Sequence, residues 1–185
     1  FLTIIGAGLA GSEAAWQAAE RGVPVVLHEM RPVNLTAAHK TDNCAELVCS
    51  NSLGNNLPHS APYILKEELR NFNSIIISSA DTHSVPAGSA LAVNRELFSQ
   101  EITEKISNHP LINLKRQEVI SIPSSGPVVI ATGPLTSPKL SEGISEMIGQ
   151  KYLYFYDALS PIVDANTIDY DKAFFASRYG KGEAD

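Results

Sequence analysis

Charge is scarce in this sequence of 185 residues: Asp, Glu, Lys and Arg make up 18% of it, below the roughly 25% usual for soluble domains. The 14 basic and 20 acidic side chains leave a net charge of −6, and Lys and Arg are never clustered beyond a doublet. A module that holds nucleic acid by charge alone is excluded. Two cysteines, Cys44 and Cys49, cannot staple a disulfide scaffold, so reduced thiols in a cytoplasmic protein are expected. They and His39 also lack the paired C-x₂-C spacing and the ligand number of a zinc site; no metal is expected. No apolar run reaches the roughly 18 residues of a membrane span, and no membrane partner is expected. Apolar side chains, by contrast, make up 44% of the chain, enough to bury a real core.

The pattern alternates strands and helices. Residues 2–5 form a short apolar run of the buried parallel-strand kind. The Ala-rich stretch from Leu9 to Glu20 favours helix, and Gly22 is placed to end it. A second apolar strand spans 24–28. Residues 31–61 are rich in Asn, Ser, His and Pro without a clear period, and a structureless stretch of that length inside a compact domain is usually functional. Helical patterns return at 62–72 and after Asn94, a plausible N-cap, with Phe98, Ile102 and Ile106 on one face. Strands are expected at 75–77, 112–114, 119–122 and 128–131. A helix follows over Pro138–Ile148, with Leu140, Ile144, Met147 and Ile148 inward. An aromatic strand is expected at 152–156, followed by Asp157. This is an α/β pattern with a largely parallel sheet.

Gly6-Ala7-Gly8-Leu9-Ala10-Gly11 spells G-x-G-x-x-G. The signal is weak alone and gains from its context: it follows a strand, opens a helix, and Glu29 ends the next strand about twenty residues on. Gly6 permits the tight turn, Gly8 lets a pyrophosphate approach the backbone, and Gly11 lets the helix pack on the strand. The helix start offers free N–H groups and a positive dipole end to phosphates. Glu29 suits ribose hydroxyls, favouring a ribose without a 2′-phosphate. Later, Val128-Val129-Ile130-Ala131-Thr132-Gly133 resembles the Ala-Thr-Gly segment of glutathione-reductase-type flavoproteins. Glu118-Val119 resembles the strand whose backbone contacts adenine there. That order makes FAD the expected cofactor, with Gly133 close to it.

Glu46-Leu-Val-Cys49-Ser-Asn-Ser-Leu53 places a thiol among hydroxyls and an amide. A thiolate can attack an electron-poor carbon such as C6 of a pyrimidine, and a thiol can shuttle a proton. Judged by chemistry alone, a cysteine is more often a small buried hydrophobe. His28 reads as structural. His39 and His83 lie in loops as possible ligand contacts without an identifiable partner.

Together, Ile5 to Trp16, Glu29-Met-Arg-Pro32, Thr41-Asp42, Glu46 to Leu53, Leu65-Lys-Glu-Glu68, Val85-Pro-Ala-Gly88, Ala131 to Thr136, Tyr152 to Asp157 and Ser177-Arg-Tyr179 resemble the folate- and FAD-dependent tRNA (uracil-5-)-methyltransferases. The resemblance implies a glutathione-reductase-type FAD-binding Rossmann fold at 1–60 and 115–185, with a smaller inserted α/β region at 61–114. It implies transfer of a one-carbon unit from methylenetetrahydrofolate to C5 of a T-loop uridine in tRNA, with NAD(P)H as reductant. By position, Cys49 matches one of the family's two functional cysteines, as nucleophile or proton carrier. Gly6, Ala7, Gly8, Gly11, Glu29, Val119 and Gly133 carry over as FAD contacts, and Cys44 is expected to be packing. The chain is expected to be the N-terminal part of such an enzyme, ending before the second cysteine. The competing expectation is an FAD-dependent oxidoreductase, acting on the wobble uridine or on a small molecule, in which Cys49 is structural.

Overall fold

The computed structural model describes residues 1–149 and 165–173; the expected aromatic strand at 152–156 and Asp157 lie outside them. A parallel sheet forms the centre. Its strands are β1 (Leu2–Ile5), β2 (Val25–Glu29), β6 (Ile112–Arg116) and β7 (Val128–Ile130), in the order β6-β2-β1-β7. Ile4 of β1 pairs with Leu27 on one side and Val129 on the other. Strands buried this way carry continuous apolar runs rather than alternation.

Helix α1 (Leu9–Glu20) lies on this sheet and buries a face of small residues, Gly11, Ser12, Ala15 and Ala19. Its end is fixed by sequence. Gly22 takes a left-handed φ of 79°, and the N–H groups of Gly22 and Val23 reach back to the carbonyls of Ala19 and Ala18, a Schellman closure. Helix α4 (Arg95–Asn108) starts at Asn94, whose side chain accepts from the N–H groups of Glu96 and Leu97. Its Phe98, Ile102 and Ile106 are completely buried with Leu27 and Val25. Burial of each such side chain stabilises by about 1.5–3 kcal/mol, so this face holds the helix to the sheet.

A second, antiparallel sheet has the order β3-β5-β4, from β3 (Ser52–Asn55), β4 (Ser84–Val85) and β5 (Ala90–Val93). Between its first and last strands run α2 (Ala61–Asn71) and α3 (Ile75–Thr82). The first strand of this sheet thus lies before residue 61, while β6, from Ile112, belongs to the large sheet.

Several expectations are corrected. Residues 75–77 are the first turn of α3, not a strand. Ser74 caps it by accepting from the N–H of Ile77, and Glu13 of α1 accepts from Ser74 Oγ (2.8 Å) and the N–H of Ile76 (3.2 Å). Three apolar residues suit a buried strand or a buried helix turn equally, and the carboxylate at the turn's N-terminus comes from sixty residues upstream, beyond any local signal. Residues 119–122 form no strand: the chain has left the edge strand β6, and no neighbour offers a ladder. Helix α5 forms over Pro138–Ile148 as expected, ended by Gly149 at φ 66°. Leu140 is buried, but Met147 and Ile148 are 65% and 49% exposed.

Candidate functional site

From β1 the chain passes to β2 on one side and returns as β7 on the other, so the sheet's switch point lies between β1 and β7. In open α/β sheets ligands bind in the crevice outside the strand ends at this point. Here it holds a cavity of about 560 Å³, bordered by the Gly6–Gly8 turn, the end of β2, the Cys49 segment, residues 117–119 and the turn after β7. The volume falls within the range of small-molecule sites.

The three glycines are required for three different reasons. Gly6 has a φ of 96°, and a Cβ there would sit 2.8 Å from the Ala131 carbonyl oxygen. It therefore serves both the turn and the contact with the strand end beside it. Gly11 faces inward, where a Cβ would lie 1.7 Å from the Gly6 carbonyl oxygen. At Gly8 a Cβ would meet nothing within 4 Å; the protein itself leaves that space open toward the cavity. Leu9 and Ala10, also on the cavity, open α1, and the first N–H groups of a helix have no intrahelical acceptor.

Glu29 is 5% exposed and joined to the glycine turn. Its Oε2 accepts from the N–H of Ala7 at 2.9 Å, and its Oε1 accepts from Arg31 Nε at 2.8 Å and from the Arg31 N–H at 3.1 Å. A carboxylate offers about four acceptor positions, so one remains. Burial alone would push Glu29 up; the Arg31 guanidinium and the N–H groups of Arg31 and Ala7 outweigh it and hold the carboxyl below its usual range.

Arg31, 1% exposed, extends the connection. Its Nη1 donates to Glu46 Oε2 at 2.9 Å and to the Thr41 carbonyl at 3.2 Å. Glu46 also accepts from the Lys40 N–H, the Thr41 N–H and Thr41 Oγ1. Burial raises the Glu46 pKa, but these hydrogen bonds and the His39 charge leave it lowered. Beside it, buried Ala45 stands at φ 53°, and its N–H donates to the Ala7 carbonyl at 2.8 Å. The Cys49 segment is therefore fixed to the glycine turn by backbone and by side chains.

Cys49 is half-buried and lies on the cavity. Cys44 is completely buried in the core, where burial pushes its thiol up. His28 and His39 also border the cavity. Burial lowers both imidazoles, aided by the charge of Lys115 for His28 and of Arg31 for His39. His83 sits elsewhere, paired with Glu101 at 2.9 Å.

The structure brings Gly6, Gly8, Glu29, Cys49, Val119 and Gly133 to one cavity. Ala7 and Gly11 stand behind it, one by its backbone bonds and the other by its packing. The sequence alone assigns no role to Arg31 or Glu46. Two opposite charges in a polar loop read as solvated; only their burial shows them as a pair. Among the described residues no group of three His, Cys, Asp or Glu side chains is arranged to hold a metal ion, and no helix is long and apolar enough to cross a membrane.

A parallel sheet in this order, with a glycine turn and helix start at its switch point, defines a Rossmann-type α/β protein. The family model described as "Glucose inhibited division protein A" matches residues 2–185, and the chain belongs to that family. Among curated relatives, the methylenetetrahydrofolate–tRNA-(uracil-5-)-methyltransferase TrmFO of Enterococcus faecalis is 62% identical over 183 residues, 99% of this chain and 42% of the relative. Its namesakes from Heliobacterium modesticaldum and Gloeobacter violaceus are 59% and 56% identical, over 100% and 98% of this chain. The chain thus spans about two-fifths of the length of these relatives, 42%, 42% and 40%. The crystal structure of Aquifex aeolicus GidA (form II) shares the fold, with a TM-score of 0.53 at 18% identity over 68% of this chain and 20% of that one.

Proposed function

We propose that this chain supplies the glycine-turn half of an FAD site in a cytoplasmic enzyme that transfers a one-carbon unit from methylenetetrahydrofolate to C5 of a uridine in the T-arm of tRNA, with NAD(P)H as reductant. One observation carries the reading: Cys49 borders the same cavity as Gly6, Gly8 and Glu29. The relatives named for this reaction, which match almost the whole chain, support it.

The residues fit a dinucleotide. The open space at Gly8 and the unpaired N–H groups expected at the start of α1 suit a pyrophosphate. The one acceptor position left on Glu29 suits a ribose hydroxyl. Val119 borders the cavity just beyond β6 and would receive the adenine. Gly133, at φ 60°, lets the chain turn close to the nucleotide. Bound FAD, once reduced by NAD(P)H, would supply the electrons that reduce a methylene unit to a methyl group. In this reading the parallel sheet belongs to the FAD domain and the insert runs from β3 to β5, shifted from the expected 61–114 because β3 precedes residue 61 and β6 pairs in the large sheet. Cys49 supplies the thiol beside the nucleotide, as nucleophile toward C6 of the uracil or as the group that moves the C5 proton.

The test is the protein carrying this chain, purified and titrated with FAD, then assayed for 5-methyluridine in tRNA by nucleoside mass spectrometry. Flavin absorbance that stays with the protein, and methylation lost in Cys49→Ala, are the expected results. A protein that takes up no FAD overturns the cofactor assignment. Full methylation by Cys49→Ala overturns the role of the thiol, while flavin uptake without any 5-methyluridine from the wild-type protein favours a flavin oxidoreductase with a structural cysteine.

A further inference from the structure

Two independent connections join the glycine turn to the Cys49 segment. One is backbone: Ala45 N–H to the Ala7 carbonyl, at 2.8 Å. The other runs through side chains, from the Ala7 N–H to Glu29, from Glu29 to Arg31 and from Arg31 to Glu46, with the bonds to Ala7 (2.9 Å), Arg31 Nε (2.8 Å) and Glu46 (2.9 Å) all short. Glu46 lies three residues before Cys49. Arg31 is the only link in the side-chain path that touches both carboxylates.

A fully buried guanidinium is costly to desolvate and is retained only where its partners hold it well. Two carboxylates and the Thr41 carbonyl do so here, and the Arg31 carbonyl in turn accepts from Arg116 Nη1 at 3.4 Å. The planar fork of arginine can engage two carboxylates at fixed angles, which the single ammonium of lysine cannot. A pair that served stability alone could sit anywhere in the core. This one lies between the acid beside the glycine turn and the segment that carries the thiol.

We propose that Arg31 is a positioning residue: through Glu46 it fixes the Cys49 segment against the glycine turn, so that the thiol keeps a set place relative to Glu29. The Arg31 geometry is independent of FAD binding, and only the FAD titration rests on the proposed function.

The experiment compares the wild-type protein with Arg31→Lys, Glu46→Gln and Thr41→Val. The last removes one donor to Glu46 and leaves the ion pair intact. Without FAD, iodoacetamide alkylation of each cysteine is followed by peptide mass mapping. Cys44 is completely buried and reports global unfolding. The expected result is that Cys49 alkylation rises at least about fivefold in Arg31→Lys and Glu46→Gln, and about twofold in Thr41→Val, while Cys44 stays unlabelled. FAD titration then separates the two ends. Arg31→Lys weakens binding about tenfold, because Glu29 loses its fixed orientation, whereas Glu46→Gln changes it less than about threefold. A Cys49 rate within twofold of wild type in every variant with Cys44 protected overturns the proposal. So does a rise in Cys49 labelling only when Cys44 is labelled in parallel, which marks a structural role alone. Failure of the wild-type protein to bind FAD would count against the cofactor reading, and the alkylation rates would still decide the role of Arg31.

Discussion

Gly11 approaches Gly6 so closely that a Cβ on Gly11 would lie 1.7 Å from the Gly6 carbonyl oxygen. The atom in the way is backbone, so no side-chain rotation can relieve the clash. The start of α1 would have to lift from the turn, and with it the Ala7 peptide that binds Glu29 and Ala45. Gly11→Ala is therefore expected to destabilise the protein by about 3 kcal/mol, at the upper end for an overpacked site. Urea unfolding checks the value. A loss under about 1 kcal/mol would mean that the turn is far more yielding than its geometry.

Gly8 poses the complementary case. Its φ of −71° and ψ of −166° are open to alanine, and the added Cβ would meet no protein atom. Gly8→Ala is expected to change stability by less than about 1 kcal/mol, the scale of an N-cap exchange. It should weaken FAD at least tenfold, since the Cβ would fill the space left for the ligand. Thermal unfolding and flavin titration measure the two effects. A variant that binds FAD like wild type would count against phosphate approach at this turn.

Much of this arrangement was legible in the sequence because its causes are local. G-x-G-x-x-G named its own turn, Gly22 ended α1, Asn94 capped α4, and the four-residue recurrence of Phe98, Ile102 and Ile106 marked the buried face. What escaped was set by partners distant in the chain. Residues 75–77 became a helix under a carboxylate from Glu13. The polar loop gave no sign that Arg31 would be buried between Glu29 and Glu46. The short strand β3 holds Gly54 at φ 80°, and its register with β5 is irregular, so no alternation announces it.

The charge of Glu29 makes stability depend on pH. Its pKa is lowered in the folded protein: burial opposes the shift, but Arg31 and the N–H of Ala7 outweigh it. The stabilisation is thus fully present above the unfolded carboxyl value of about 4.3. It is lost as pH falls through the lower folded value. Glu29→Gln leaves Arg31 short of one carboxylate and should cost about 3–5 kcal/mol at pH 7, the scale of a broken buried pair. Melting curves from pH 7 to pH 3 should show the gap between variant and wild type narrowing once the pH falls below the unfolded carboxyl value. A gap that stays constant to pH 3 would show that the carboxylate's charge is not what stabilises.

The two cysteines should separate under the same substitution. Cys44 is enclosed by the core, and Cys44→Ala removes a buried group about the size of a methylene or slightly larger, a loss of about 1 kcal/mol plus a cavity contribution. On the proposed function, methyl transfer by the protein carrying this chain should survive in that variant at temperatures where it stays folded. Cys49→Ala empties a half-buried position on the cavity, so stability should change by less than about 0.5 kcal/mol, FAD should bind as before, and methyl transfer should fall at least a hundredfold, within the range one positioned proton-transfer group supplies. Chemical denaturation, flavin titration and tRNA methylation on the paired variants test this division. Equal losses of activity from both substitutions, in parallel with stability, would make Cys49 a packing residue like Cys44.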